Sequence, residues 1–164
     1  MAWRYKGQIV DSIDNVPKEA VGFIYKICDS EGRCYIGKKE LYSKRNVEVS
    51  KRVYDRLKAE GCPVTKTKNK TLSKKGSVVW RYKQKVEGES NWLTYKSSNK
   101  DLIGKEQVVR EILLFCCSKQ QLTYFETKVQ MIEGVLESDD WYNENILGKF
   151  YRNQTELCPD VTGD

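Results

Sequence analysis

Histidine is missing from this chain of 164 residues. That absence removes the side chain that ordinarily titrates between roughly pH 5 and 8, so any general base must be a carboxylate, tyrosine, lysine, cysteine or metal-bound water. With no C-x-x-C pair either, the usual zinc-binding patterns are excluded. Long apolar runs are also lacking. The longest, residues 112–117, falls far short of the ~20 residues a membrane-spanning helix needs. The opening "MAWRYKGQIVDSID" has no apolar core of the secretory kind. The expectation is a cytoplasmic protein with no membrane partner. In that compartment reduced thiols are the default, so the six cysteines (Cys28, Cys34, Cys62, Cys116, Cys117, Cys158) are expected to be reduced and structural.

What the chain does have is positive charge, unevenly placed. Between Lys44 and Lys85 there are fourteen Lys and Arg against three acids, a local excess of +11 that leaves the rest of a +6 chain at −5. Within this region "TKTKNKTLSKKGSVVWRYKQK" interleaves lysines with small polar residues and then meets Trp80 and Tyr82. Lysines beside aromatics suit a polyanion that carries stackable bases. The candidate DNA-binding residues are Lys51, Arg52, Arg56, Lys66, Lys68, Lys70, Lys74, Lys75, Trp80 and Arg81. Clustered charge of one sign argues for binding, not for cutting.

The hydrophobic pattern predicts a small α/β (α+β) domain around a central antiparallel-type sheet. Residues 1–19 read as an N-terminal arm or edge strand. "AVGFIYKIC" and "CYIGKK", joined by "DSEGR", read as a hairpin. Residues 40–60 follow a helical spacing through Leu41, Val49, Val53 and Leu57, ended by Gly61 and Pro63. Residues 63–97 form a basic insertion, with short strands expected at "SVVWRYK" and near "NWLTYK". "VVREILLFCC" reads as a buried strand, and Ser118 with Gln121 makes a capping box that opens a helix through Leu122, Phe125, Val129 and Ile132. Residues 98–150 thus hold the strand, the helix and a turn, and residues 151–164 read as a tail.

The stretch "GFIYKICDSEGRCYIGKK" resembles the signature of the GIY-YIG nucleases, two tyrosine triplets on neighbouring strands. Further elements follow in order: a basic residue on the following helix, a glutamate on a later helix, and a "YN" turn. The arrangement is similar to that of small, free-standing phage members. The first triplet departs from the literal motif, reading Phe-Ile-Tyr with Gly22 one position early. By this resemblance Tyr25 is the general base, Tyr35 positions water or phosphate, and Arg45, with Lys44 beside it, binds the phosphate. Lys39 is then a further cation of the site, Glu126 is the metal ligand and Asn143 completes it. The implied cofactor is Mg2+ or Mn2+, the implied partner is DNA, and the setting is a phage homing or mobile-element endonuclease in the host cytoplasm. Double-strand cutting from one such site calls for a dimer or two sequential nicks.

The chemistry is coherent on its own terms. Mg2+ keeps several waters and borrows phosphate oxygens, so one glutamate suffices to hold it. Tyrosine, with a reference pKa of ~10, becomes a base only where cations such as Lys38, Lys39, Lys44 or Arg45 lower it. The rival expectation is a non-catalytic nucleic-acid-binding module of the same fold.

Overall fold

The computed structural model describes residues 2–69, 78–105 and 108–152. In chain order its strands are β1 (Trp3–Tyr5), β2 (Gln8–Val10), β3 (Gly22–Asp29), β4 (Cys34–Glu40), β5 (Tyr42–Val49), β6 (Val64–Lys68), β7 (Trp80–Glu89), β8 (Val108–Cys116), β9 (Asn145–Ile146) and β10 (Phe150–Tyr151). The helices are α1 (Lys51–Ala59), α2 (Lys100–Ile103) and α3 (Lys119–Ile132). The architecture is the expected mixture of α and β elements around an antiparallel-type sheet. It divides into two compact units, Met1–Leu41 with Asn91–Asp164, and Tyr42–Ser90.

The first unit is built on a five-stranded sheet of order β2–β1–β8–β3–β4. All of its pairings are antiparallel except β1 with β8. The stretch expected as an arm therefore supplies two strands, and Trp3 within it is wholly buried. Both sheet faces are covered, so β3 reads as an almost continuous apolar run. On one face lie Trp3, Phe23, Tyr25, Ile27 and Ile112 with Trp92, whose carbonyl accepts a hydrogen bond from Trp3 Nε1 at 2.8 Å. On the other, Ile24, Ile36 and Cys116 meet Leu122 of α3, then Val135 and Trp141. The register shift between Ile24 and Tyr25 in the β3–β8 pairing is a bulge in the middle of this sheet. Helix α3 begins where its capping signal predicts, the Ser118 hydroxyl accepting from Gln121 N at 3.1 Å.

Two glycines permit the close approaches. A Cβ on Gly22 would lie 2.5 Å from the Lys39 carbonyl and 2.8 Å from Leu122. One on Gly37 would lie 2.7 Å from the Tyr25 hydroxyl and 2.9 Å from the Tyr35 ring.

The second unit is a three-stranded antiparallel sheet, β5–β7–β6, with α1 against β7 and β6. Here the structure corrects the helix expected over 40–60. Residues Tyr42–Val49 are extended and pair along their whole length with β7, and the helix starts only after the Ser50 cap. Pairing with a strand some forty residues later outweighs the local helical spacing, of which Val53 and Leu57 alone lie on α1. The strand expected near "NWLTYK" is a turn anchored by buried Trp92. A second correction concerns the thiols: Cys28 and Cys34 form a disulfide, not a reduced pair. They are direct partners across the hairpin, with Cα atoms 4.0 Å apart, so the strand register itself presses the two sulfurs together.

The glycine account is testable by denaturation. Gly37→Ala is expected to lose about 1–3 kcal/mol, the usual cost of overpacking a rigid core. Gly88→Ala, with nothing within 4 Å of its added carbon, is expected to be neutral or slightly stabilising. Equal effects would contradict the packing read at Gly37.

Candidate active site

The site forms at the edge of the first unit's sheet, along β4. An edge strand presents unpaired peptide groups, and here they are covered. Cys34 N donates to the Asp140 carbonyl and Tyr142 N donates to the Cys34 carbonyl, so residues 140–143 run beside the strand. At Ile36 side chains take over. Asn143 Oδ1 accepts from Ile36 N at 3.0 Å, while Asn143 Nδ2 and Gln130 Nε2 donate to the Ile36 carbonyl at 2.9 and 3.0 Å. Tyr142 is tied in from behind, its hydroxyl donating to buried Asp29 at 2.7 Å. A hydrogen-bonded Lys105 holds that carboxylate well below the usual range.

Alternation along β4 sends Tyr35 toward one face of the sheet and Lys38 toward α3. The Tyr35 hydroxyl shares a 2.8 Å hydrogen bond with Ser98 Oγ. Lys38 Nζ lies 3.0 Å from Glu126 Oε2 and donates to Thr123 Oγ1 at 3.1 Å. Glu126 sits one turn before Gln130 on α3, its side chain 17% exposed. Tyr35, Lys38, Ser98, Glu126, Gln130 and Asn143 all line one open cavity of about 460 Å³, with Glu144 at its rim.

The two signature tyrosines are not equivalent. Tyr25 is fully buried among Trp3, Phe23 and Tyr35 and is not part of the cavity wall. Its hydroxyl shares a 3.3 Å hydrogen bond with that of Tyr95. Burial, then the neighbouring Tyr95 phenol, pushes the Tyr25 phenol well above the ordinary tyrosine value. Burial also raises Tyr35, with the Ser98 hydrogen bond pulling the other way. Both shifts run opposite to the lowering expected from nearby cations. Lys39 stands beside this cluster, its ammonium 4.2 Å from the Tyr95 ring centre and 2.7 Å from Asn91 Oδ1. Burial lowers its pKa.

Of the site residues expected from sequence, Tyr35, Glu126 and Asn143 therefore meet at one cavity. Asn143 commits both ends of its amide to Ile36. Lys44 and Arg45 belong to the second unit, on exposed β5, where Lys44 Nζ is 3.6 Å from Glu87. Lys51, Arg52 and Arg56 lie on α1, Lys66 and Lys68 on β6, and Trp80 and Arg81 on β7. Lys70, Lys74 and Lys75 lie outside the described residues. Sequence reasoning missed Gln130, Ser98 and Tyr95; it named Lys38 only as a cation near the tyrosines, and the structure sets that ammonium against Glu126. The one available signal was spacing: Gln130 follows Glu126 by four residues on the same helix.

A small α+β domain with phenol, ammonium and carboxylate groups gathered at a sheet edge is the class these features define. The family model described as "Putative endonuclease segE, GIY-YIG domain" matches residues 3–59 and 64–146. The chain belongs to this family of GIY-YIG endonuclease domains. The match takes in most of the second unit as well as the first. No protein of curated function and no solved structure shows significant similarity to the chain. Among the described residues no helix is long and apolar enough to cross a membrane.

The tyrosine shifts give a pH prediction. A phenol raised above its unfolded value supports the fold fully below about pH 10 and loses that support as pH rises through the folded value. Unfolding free energy is expected to fall with pH above 10, and less steeply in Tyr25→Phe. An unchanged slope in the variant would contradict the burial read at Tyr25.

Proposed function

We propose that the chain is a divalent-metal-dependent endonuclease that hydrolyses DNA phosphodiester bonds in the cavity at the β4 edge. The observation that carries this reading is the convergence of Tyr35, Lys38 and Glu126 on one open polar cavity in a member of an endonuclease family. A free-standing phage homing or mobile-element enzyme fits the same reading.

Among the described residues no three His, Cys, Asp or Glu side chains cluster as ligands. Mg2+ or Mn2+ nevertheless suits the donor set. Glu126 offers a carboxylate at a cavity roomy enough for water and phosphate oxygens, Glu144 stands at the rim, and Mg2+ asks for only one or two carboxylates. When bound, such an ion supplies Lewis-acid charge to the phosphate and lowers the pKa of water.

The chain's own groups account for the remainder. Lys38, whose ammonium stands beside Glu126, offers positive charge to a phosphate oxygen placed in the cavity. Tyr35, held by Ser98, is the phenol that meets the attacking water. Cationic charge at the cavity lowers its pKa so that it releases its own proton to solvent, and the phenolate then takes a proton from the water. Tyr25 backs Tyr35 from the core. Asn143 and Gln130 keep β4 from shifting under these groups. The basic second unit, with Arg45 and the α1 cations, grips the DNA backbone.

Supercoiled plasmid incubated with Mg2+ is expected to be nicked or linearised, with EDTA abolishing the reaction. Glu126→Ala is expected to cut about 100-fold more slowly or less, on the scale of removing one electrostatic group from an active site. Cutting by Glu126→Ala at the wild-type rate would sink the assignment. Salt-sensitive binding without any cleavage would instead establish the non-catalytic nucleic-acid-binding module.

A further inference from the structure

The second unit carries the basic excess, and its strand register shows where that charge meets an exposed aromatic ring. Residues directly opposite across paired strands share a face. Lys68 is opposite Trp80 and Lys66 opposite Tyr82, so all four lie on one side of the sheet. That side is the one α1 covers, because the Tyr54 and Tyr82 rings lie 5.0 Å apart. On the opposite side Arg81 meets Glu48 at 3.5 Å and Lys44 meets Glu87 at 3.6 Å. On the Trp80 side none of the three strands contributes an acid.

The helix does not reach the end of β7. Tyr82 is half-buried beneath it, while Trp80 is 42% exposed, with Val78 and Val79 exposed beside it. The other three tryptophans are buried. A lone exposed apolar residue is ordinary, but a run of three edged by lysines is the form of an interaction surface. Lys66 Nζ stands over the Trp80 ring, 4.1 Å from its centre, and 5.9 Å from that of Tyr82, which sets a cation directly against the indole.

We infer that Trp80, with Lys66 and Lys68, is a stacking platform for an unpaired DNA base, the two lysines engaging the flanking phosphates. The ligand class follows from the indole. Bases within a duplex stack on one another, so an aromatic face is useful only to a base that has left the stack. An intact duplex would engage the lysines and leave Trp80 idle. This inference rests on the proposed DNA function and narrows it to DNA with single-stranded or locally opened character.

The test uses the full chain in EDTA at low salt, so that no cutting intervenes. Tryptophan emission and its quenching by acrylamide are followed as oligothymidylate or a hairpin duplex of equal phosphate number is added. A fluorescent end label on each DNA reports binding separately. Oligothymidylate is expected to shield the one exposed tryptophan from acrylamide, and the duplex is not. Trp80→Ala is expected to weaken oligothymidylate binding roughly 5- to 100-fold, the range for one base–aromatic stack, with duplex binding changed less than about twofold and Trp80→Phe recovering most of the loss. Wild-type affinity of Trp80→Ala for oligothymidylate, or an equal loss on duplex, would overturn the platform. Should the wild type bind neither DNA, the DNA function itself falls and takes this inference with it. Plasmid cleavage beside unaltered binding by Trp80→Ala removes the platform alone.

Discussion

The candidate site depends on how one peptide unit at a sheet edge is satisfied. Ile36 has no further strand beside it, yet it is fully buried, and its N–H and C=O bond to Asn143 and Gln130 instead. Each such bond contributes only about 0.5–1.5 kcal/mol net, but a buried peptide group left unpaired costs about 1–3 kcal/mol. The edge is therefore closed by two side chains from distant parts of the chain: Asn143 pairs both peptide groups, and Gln130 adds a second bond at the carbonyl. Gln130 is one helical turn from Glu126, while Ile36 lies between Tyr35 and Lys38. The contact that closes the sheet thereby also sets the carboxylate against the phenol and the ammonium.

Behind this edge the aromatic layer imposes a second constraint. Trp3, Phe23 and Tyr25 stack edge-on or tilted at 5.1 to 6.3 Å, and Gly37 leaves the Tyr25 hydroxyl its space. The same packing pushes the Tyr25 phenol away from ionisation, while Tyr35, Lys38 and Glu126 stand at the cavity wall. The motif's first tyrosine thus supports the second through ring packing and the Tyr95 hydroxyl.

Elements carried by local signals were legible in the sequence. The β3–β4 hairpin follows from turn residues between two apolar runs, and α3 from a cap followed by helical spacing. Elements carried by distant pairing were not. Tyr42–Val49 looks helical until β7 is known to lie alongside it, and β1 is only three residues whose place depends on a strand a hundred residues later. The site divides in the same way. Tyr35, Glu126 and Asn143 could be read from motif order and Lys38 as a neighbouring cation, whereas Gln130 and Ser98 join the candidate site only when the edge of β4 meets α3 and the 91–105 segment. The disulfide was hidden by a rule about compartments that overrode the plain geometry of two cysteines six residues apart across a hairpin turn.

The central claim is that the clamp on Ile36 positions the cutting groups. It is tested most directly by single-turnover cleavage with Gln130→Leu, a residue assigned no chemistry of its own. The account predicts a folded protein with wild-type DNA affinity and a cleavage rate lowered roughly 10- to 100-fold, as for other losses of a supporting hydrogen bond behind an active site. A folded Gln130→Leu variant that cuts at the wild-type rate would contradict it.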